Sequence, residues 1–315
     1  MNNIYSLQKY KVAAYITAYE DPKAVLQCVQ AIKTQLVPVT TILIVDNSIK
    51  KSIDKFLIDV ENVIVEFYPE NIGISGGLNI AIKWAIEQEY DFLWAFDQDS
   101  VVKKDCLNKL LYHYHTINNH NYLIGIIAPT AIDLRNDQIV EGAVFVDDHF
   151  TGYKLDTTQP YECDAPITSG SLISIAAAKT ISPPLVELFI DGIDLDYGLR
   201  LVQQGFHNLI VPDAIMYHNF GNPIKTKFFY KELTVQKYSA LRHYYICRNH
   251  TYLSNQYAKG WYRLTSWMRR MKYMIHAIIL ILLYDSEHKL LKISACLTGT
   301  YHGLKGKLGK TWHEI

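Results

Sequence analysis

The chain has 315 residues, 49% of them apolar or aromatic and 20% charged, with 31 Lys and Arg balanced by 31 Asp and Glu. This composition suits one substantial globular domain with an appendage, or two modest domains, and excludes disorder and collagen-like repetition. The neutral total gives no reason to expect nucleic-acid binding, but it hides a split: from Lys225 onward sixteen basic residues stand against four acidic ones, so an acidic body carries a basic tail.

Cysteines at 28, 106, 163, 247 and 296 are odd in number and form no C-x-x-C pair. That argues against a disulfide framework or structural zinc and for a reducing compartment. Met1 to Lys11 is polar and lacks the pattern of a secretory signal. Val12 to Ile16 then reads as a strand. Pro22 to Gln35 reads as a helix, because Val25, Cys28, Val29 and Ile32 recur at helical spacing behind a proline suited to a first turn. Thr41 to Val45 is apolar on both faces, as a central parallel strand should be, and Val63 to Phe67 is a third strand. A helix over Gly77 to Glu89 follows, and a fourth strand, Phe92 to Phe96, ends abruptly in Asp97-Gln98-Asp99. This alternation predicts an α/β domain with a largely parallel sheet.

Further on, the pattern predicts a helix near Lys103 to Thr116, a strand over Leu123 to Ala128, a polar stretch to about Tyr161, and strand-like sequence from Ile167 to Ile175. A helix with Leu195, Leu199 and Val202 facing inward ends near Gly205, and His207 to Val211 is the last strand. After Gly221-Asn222-Pro223 the sequence is basic, Tyr-rich and mostly helical in pattern, which sets the domains at 1–222 and 223–315. The longest apolar run, Ala277 to Leu283, widens only to Tyr273 to Tyr284. A bilayer span needs roughly 20 such residues, so this segment is expected to be buried or to lie on a membrane.

Ligands of open α/β sheets sit beyond the carboxyl ends of strands, and three such ends here are polar: Thr17-Ala18-Tyr19-Glu20, Asp46-Asn47 and Asp97-Gln98-Asp99. Two carboxylates two residues apart repel unless a cation neutralises them, and together they suit a divalent ion that also holds a diphosphate. Gly76-Gly77, within the Asn71 to Asn79 segment, opens a helix where backbone can approach an anion. The P-loop Lys and Ser or Thr are missing, and so is G-x-G-x-x-G.

The series VAAYITAY, ILIVDNS, NIGISGGLN, FLWAFDQDS, TSGSLIS, DGIDLDYGLR and VPDAIMYHNFG resembles family 2 glycosyltransferases of the GT-A fold, closest to the rhamnosyltransferase-like branch, over about Val12 to Gly221. The resemblance implies that Thr17, Tyr19 and Glu20 line the nucleoside pocket and that Asp46 and Asn47 face the base or ribose. It implies that Asp97 and Asp99 form a metal-binding D-x-D for Mg²⁺ or Mn²⁺, completed by His218. It also makes Asp194 the catalytic base, with Ile193 where the family has glutamate and the roles of Asp191 and Asp196 left open.

Ser169-Gly170 lies in a segment the family uses near the transferred sugar, or is a tight turn. Arg248 is either a diphosphate clamp or a core-pairing arginine. Inverting transfer needs one carboxylate to take a proton from the acceptor hydroxyl and no second acid, since a metal supports the leaving group.

The resemblance further implies a dTDP- or UDP-linked sugar donor, with dTDP-rhamnose first, and a glycan or lipid-linked saccharide acceptor in cell-surface polysaccharide synthesis. Trp261 to Tyr284 mixes Arg263, Arg269, Arg270 and Lys272 with large apolar residues, as an interfacial helix on anionic lipid would. The location expected is cytoplasmic, at the inner face of the plasma membrane. An amphipathic helix packing on the catalytic domain or on a second copy in a homodimer is the competing reading. Two other functions compete: a sugar-phosphate nucleotidylyltransferase, whose Gly-rich, Arg-containing loop is absent after the first strand, and a non-catalytic nucleotide-binding scaffold.

Overall fold

The computed structural model describes residues 7, 9–51, 53, 60–219, 221, 223–228 and 231–312, with side chains left aside at 223–228 and 231–234. Most of the Met1 to Lys11 segment, Phe220 of the last family motif and Asn222 at the expected domain boundary lie outside the described residues. The chain divides into two compact units, the first formed by residues 1–144, 152–186 and 193–219 and the second by 145–151, 187–192 and 220–315.

The first unit is built on a ten-stranded mixed sheet. Its parallel half contains β1 (Val12–Ala18), β2 (Thr41–Asp46), β3 (Val63–Phe67) and β4 (Phe92–Asp97), in the order β4-β1-β2-β3. β1, β2 and β4 are apolar on both faces and almost wholly buried, which is why their short unbroken apolar runs identify them. Helix α1 (Pro22–Lys33) starts where Asp21 accepts the Ala24 N–H at 3.1 Å, and buries the predicted stripe of Val25, Cys28, Val29 and Ile32.

Helix α2 spans Gly73–Glu87 and so begins a turn earlier than the sequence pattern predicts. Asn71, in the left-handed region with φ 51°, accepts the Gly73 N–H at 3.0 Å and starts the helix there. Gly76 and Gly77 are therefore buried inside the helix, not exposed ahead of it. A Cβ on Gly77 would fall on the hydroxyl of the buried Tyr15, and one on Gly76 would press on Ile72 at 2.9 Å. Gly77 lets the helix pack closely on β1 and β2, while Gly76 makes room for Ile72 at the start of the same helix.

Gly77→Ala gains about 1 kcal/mol of helix propensity, but overpacking against Tyr15 costs roughly 1–3 kcal/mol. It should destabilise the native protein and become stabilising in a Tyr15→Phe background. Urea denaturation of the four proteins of the double-mutant cycle measures this change of sign.

After β4 come β5 (Val101–Val102), α3 (Cys106–Ile117), β6 (Ile124–Asp133), β7 (Gln138–Val140), β8 (Gly142–Val146), β9 (His149–Tyr153), β10 (Tyr161–Glu162), β11 (Leu172–Ser174), α4 (Ile175–Ala178), α5 (Ile193–Gln203) and β12 (His207–His218). The stretch expected to be merely polar thus holds four short strands. β11 runs antiparallel between β4 and β6, while β12 is parallel to β6 and antiparallel to β5. β12 outruns its predicted end at Val211. The ladder pairs Val211 with Pro129, bulges over Pro212-Asp213-Ala214, resumes at Ile215 opposite Thr130 and carries the strand on to His218.

The second unit contains an antiparallel hairpin, β13 (Pro223–Phe228) with β14 (Lys231–Gln236), where mostly helical sequence was expected, followed by α6 (Ala240–Tyr257), α7 (Tyr262–Tyr284) and α8 (Lys289–Lys305). α6 and α8 approach closely because a Cβ on Gly299 or Gly303 would strike the carbonyl of Tyr244 or Arg248. α7 buries Ser266, Met274, Ala277 and Ile281 and exposes Leu264, Met268, Ile275, Ile279 and Leu282. Among the described residues no helix is long and apolar enough to cross a membrane.

Candidate active site

The sheet register of the first unit brings the polar strand ends together. Thr17 pairs with Val45 on one side and Asp97 on the other, and Ala18 pairs with Asp46. Asp46 is 0% exposed; its Oδ1 accepts the Ser48 N–H at 3.0 Å, and its Oδ2 is buried without a hydrogen-bond partner. Asn47, also buried, accepts the Ile72 N–H at 2.9 Å and so ties the end of β2 to the start of α2. Glu20, with φ 54°, accepts the Ile49 N–H at 2.7 Å, and its own N–H donates to Ser48 Oγ at 2.8 Å.

Asp97 and Asp99 meet His218. His218 Nδ1 lies 3.2 Å from Asp99 Oδ1 and 3.0 Å from Ser100 Oγ, and Nε2 is 4.0 Å from Asp97 Oδ2. β5 places them there by pairing with the end of β12, Val101 opposite Tyr217. Burial works against protonation of His218, but the Asp99 hydrogen bond and the charges of Asp97, Asp99 and Asp133 outweigh it and raise its pKa. The cluster therefore attracts positive charge. Burial, reinforced by Asp97 and Asp99, pushes the neighbouring Cys28 thiol well up, so it is not a nucleophile.

Among the described residues no group of three or more His, Cys, Asp and Glu is arranged as a ready-made metal cage. The donor chemistry nevertheless fits a hard divalent cation, since Mg²⁺ is commonly held by one or two carboxylates with substrate phosphates and water filling the other positions.

Several residues that sequence reasoning passed over hold this edge in shape. Gln98, between the two aspartates, grips the Tyr19 backbone by accepting its N–H at 2.7 Å and donating to its carbonyl at 3.0 Å, which leaves the Tyr19 ring exposed. Asp133, opposite His218 in the β6–β12 ladder, is paired with Arg135 through Nε at 2.9 Å and Nη2 at 2.7 Å, and the Arg135 charge also faces Asp99.

Four other residues expected to meet the ligand make internal contacts. Ser169 is 2% exposed and is spent on the Asp97 N–H at 3.0 Å and on Ser100 Oγ at 2.6 Å. Gly170, with φ 78°, could not carry a Cβ without striking Met216 and Pro129, so this pair is a turn bracing the D-x-D loop. Asn79 donates to the Pro184 carbonyl at 3.3 Å, an internal tie. Arg248, in the second unit, is 0% exposed and donates to the carbonyls of Glu187, Leu188 and Gly309. It is the core-pairing arginine, not a clamp.

Asp194 stands on the first turn of α5 with Oδ1 accepting the Leu195 N–H at 2.9 Å. Its charge bears on the Cys163 thiol. Asp196 is buried and paired with Arg200 at 2.8 Å, while Asp191 in the second unit is held by His250 at 2.8 Å.

The model for glycosyl transferase family 2 matches residues 14–161, and that for glycosyl transferase family group 2 matches residues 94–300, more than half of the chain. The chain is 27% identical over 211 residues to dTDP-rhamnosyl transferase RfbF of Shigella flexneri, a match covering 66% of this chain and 68% of that protein. Residues 1–349 of TarS from S. aureus align with a TM-score of 0.52 and 14% identity, over 93% of this chain and 80% of that one. GalNAc-T7, solved with UDP, GalNAc and Mn²⁺, aligns with a TM-score of 0.59 and 13% identity, over 94% of this chain but only 56% of that one. These likenesses establish the GT-A fold, and the family matches establish glycosyl transfer. The chain belongs to glycosyltransferase family 2 and is an enzyme that transfers a sugar from a nucleotide-sugar donor.

Proposed function

We propose that the enzyme is an inverting, metal-dependent transferase that moves rhamnose from dTDP-rhamnose to a glycan or lipid-linked saccharide in cell-surface polysaccharide synthesis. The observation that carries this reading is the convergence of Asp97, Asp99 and His218 beside the strand end where Asp46 keeps a buried carboxylate oxygen without a partner. The donor's nucleoside lies along Thr17, Tyr19, Glu20, Asp46 and Asn47, where an N–H or O–H of the ligand satisfies Asp46 Oδ2. Asp97 and Asp99, with His218 beside them, hold the Mg²⁺ or Mn²⁺. Bound there, the cation neutralises the charge that builds on the diphosphate leaving group.

Asp194 takes the proton of the acceptor hydroxyl as its oxygen attacks the anomeric carbon. The bond to the diphosphate breaks on the opposite face, and the sugar inverts. The similarity to a dTDP-rhamnosyl transferase supports the choice of donor. The exposed face of α7, with Trp261 78% exposed and Arg263 and Lys272 alongside, supports peripheral association with an anionic membrane.

Release of nucleoside diphosphate from a panel of nucleotide sugars tests the reading. Turnover should be greatest with dTDP-rhamnose, abolished by EDTA and restored by Mn²⁺; equal turnover with every donor, or turnover indifferent to EDTA, removes the assignment. Asp46→Asn should weaken dTDP binding by about tenfold through loss of one hydrogen-bond acceptor. The empty variant should be no less thermostable, because a buried carboxylate is replaced by a neutral amide. Calorimetric titration and a thermal melt read the two effects.

A further inference from the structure

We propose that Arg242, His250 and Arg270 of the second unit bind a phosphate group carried by the acceptor, an inference that rests on the glycosyltransferase reading. Arg270 lies on α7 with its Nε donating to Thr251 Oγ1 at 3.3 Å and its guanidinium 4.4 Å from the Tyr273 ring centroid. Its Nη2 is buried and has no hydrogen-bond partner. A guanidinium N–H in that position costs stability unless an acceptor arrives.

One carboxylate serves the whole group. Asp191 takes His250 Nε2 at 2.8 Å and faces Arg242 Nε at 3.8 Å, and its charge also reaches Arg270. Burial pushes Asp191 up, but His250, Arg242 and Arg270 together hold it below the usual carboxylate range. Asp191 is thus an ion already outnumbered, and the cluster retains excess positive charge.

The group is reachable, since the Arg242 side chain is 41% exposed and that of His250 28% exposed. Two guanidinium forks beside an imidazole suit the several oxygens of a phosphate better than a single carboxylate. The source follows from charge. The donor's diphosphate is assigned to the acidic strand ends of the first unit, where a cation is needed, whereas this cluster recognises an anion without one.

The test is calorimetric titration of the full chain with geranyl diphosphate and with inorganic pyrophosphate, in EDTA and without nucleotide. Geranyl diphosphate should bind at least tenfold more tightly than pyrophosphate. Arg242→Gln should weaken it by about tenfold, and Arg270→Met should abolish binding while the same sample still binds dTDP with Mn²⁺, which shows that the variant is folded. Equal binding of both probes identifies a site for free phosphate and overturns the acceptor assignment. Binding indifferent to both substitutions, or no binding, overturns the site. Titration of dTDP with Mn²⁺ on the same samples separates the two readings: if dTDP binds and geranyl diphosphate does not, this inference alone is lost.

Discussion

Asp194→Asn is expected to lower turnover by about 10²–10⁴-fold, the usual contribution of a positioned general base, while leaving dTDP binding unchanged. The substitution keeps the shape of the side chain and the oxygen that accepts the Leu195 N–H at 2.9 Å, so α5 should start as before. It removes the carboxylate's charge and with it the capacity to take a proton.

The neighbouring aspartates provide the contrast. Asp196, buried against Arg200 at 2.8 Å, and Asp191, held by His250 at 2.8 Å, are committed to ion pairs. Asp196→Asn should lower the melting temperature more than it lowers kcat. Stopped measurement of nucleoside diphosphate release, with dTDP titrated separately, distinguishes these outcomes. A loss in Asp194→Asn confined to KM would mean that Asp194 binds substrate and that another group is the base.

Arg248→Met should cost about 2–4 kcal/mol of stability, the scale of losing several hydrogen bonds donated by a buried charged group, and lower the melting temperature by on the order of 10 °C. The guanidinium is used along its whole edge. Nε donates to Asn249 Oδ1 at 2.7 Å, Nη2 to the carbonyls of Glu187 at 2.9 Å and Leu188 at 3.0 Å, and Nη1 to the Gly309 carbonyl and to Thr311 Oγ1 at 3.2 Å. The Tyr245 ring centroid lies 4.6 Å from the cation.

Methionine fills much of the space but removes every hydrogen bond the guanidinium donates, leaving the carbonyls of Glu187, Leu188 and Gly309 only their backbone and Asn249 donors. Lysine does not rescue, because a single ammonium cannot reproduce donors fixed in a planar fork. Thermal melts of Arg248→Met and Arg248→Lys check this. Unchanged melting with a raised KM for the donor would restore Arg248 to the diphosphate.

The parallel half of the sheet was legible because buried parallel strands must be apolar on both faces, as Ile42 to Val45 and Phe92 to Phe96 are. The acidic strand ends were legible for the converse reason: charge interrupts such runs only where water or a ligand meets it. Side-chain direction was not legible. Gly76 and Gly77 look like a ligand approach until the helix is seen to start at Gly73, where they become packing contacts with Ile72 and Tyr15.

Gln98, Ser100 and Asp133 carry no local signal, since their partners Tyr19, Ser169 and Arg135 are chosen by folding or lie within an unremarkable turn. The β13–β14 hairpin is hidden at the head of a tail whose pattern is mostly helical. The alternation from Ile224 to Phe228 has the period of a strand.

The central claim is that the acidic strand ends of the first unit hold the donor's diphosphate through a cation. Calorimetric titration of dTDP and UDP into the native protein and Asp99→Asn, each with Mn²⁺ and with EDTA, tests it most directly. The expected result is binding by the native protein that requires Mn²⁺ and weakens at least tenfold in Asp99→Asn, about 1.4 kcal/mol. Nucleotide binding of equal strength in all four conditions would contradict it.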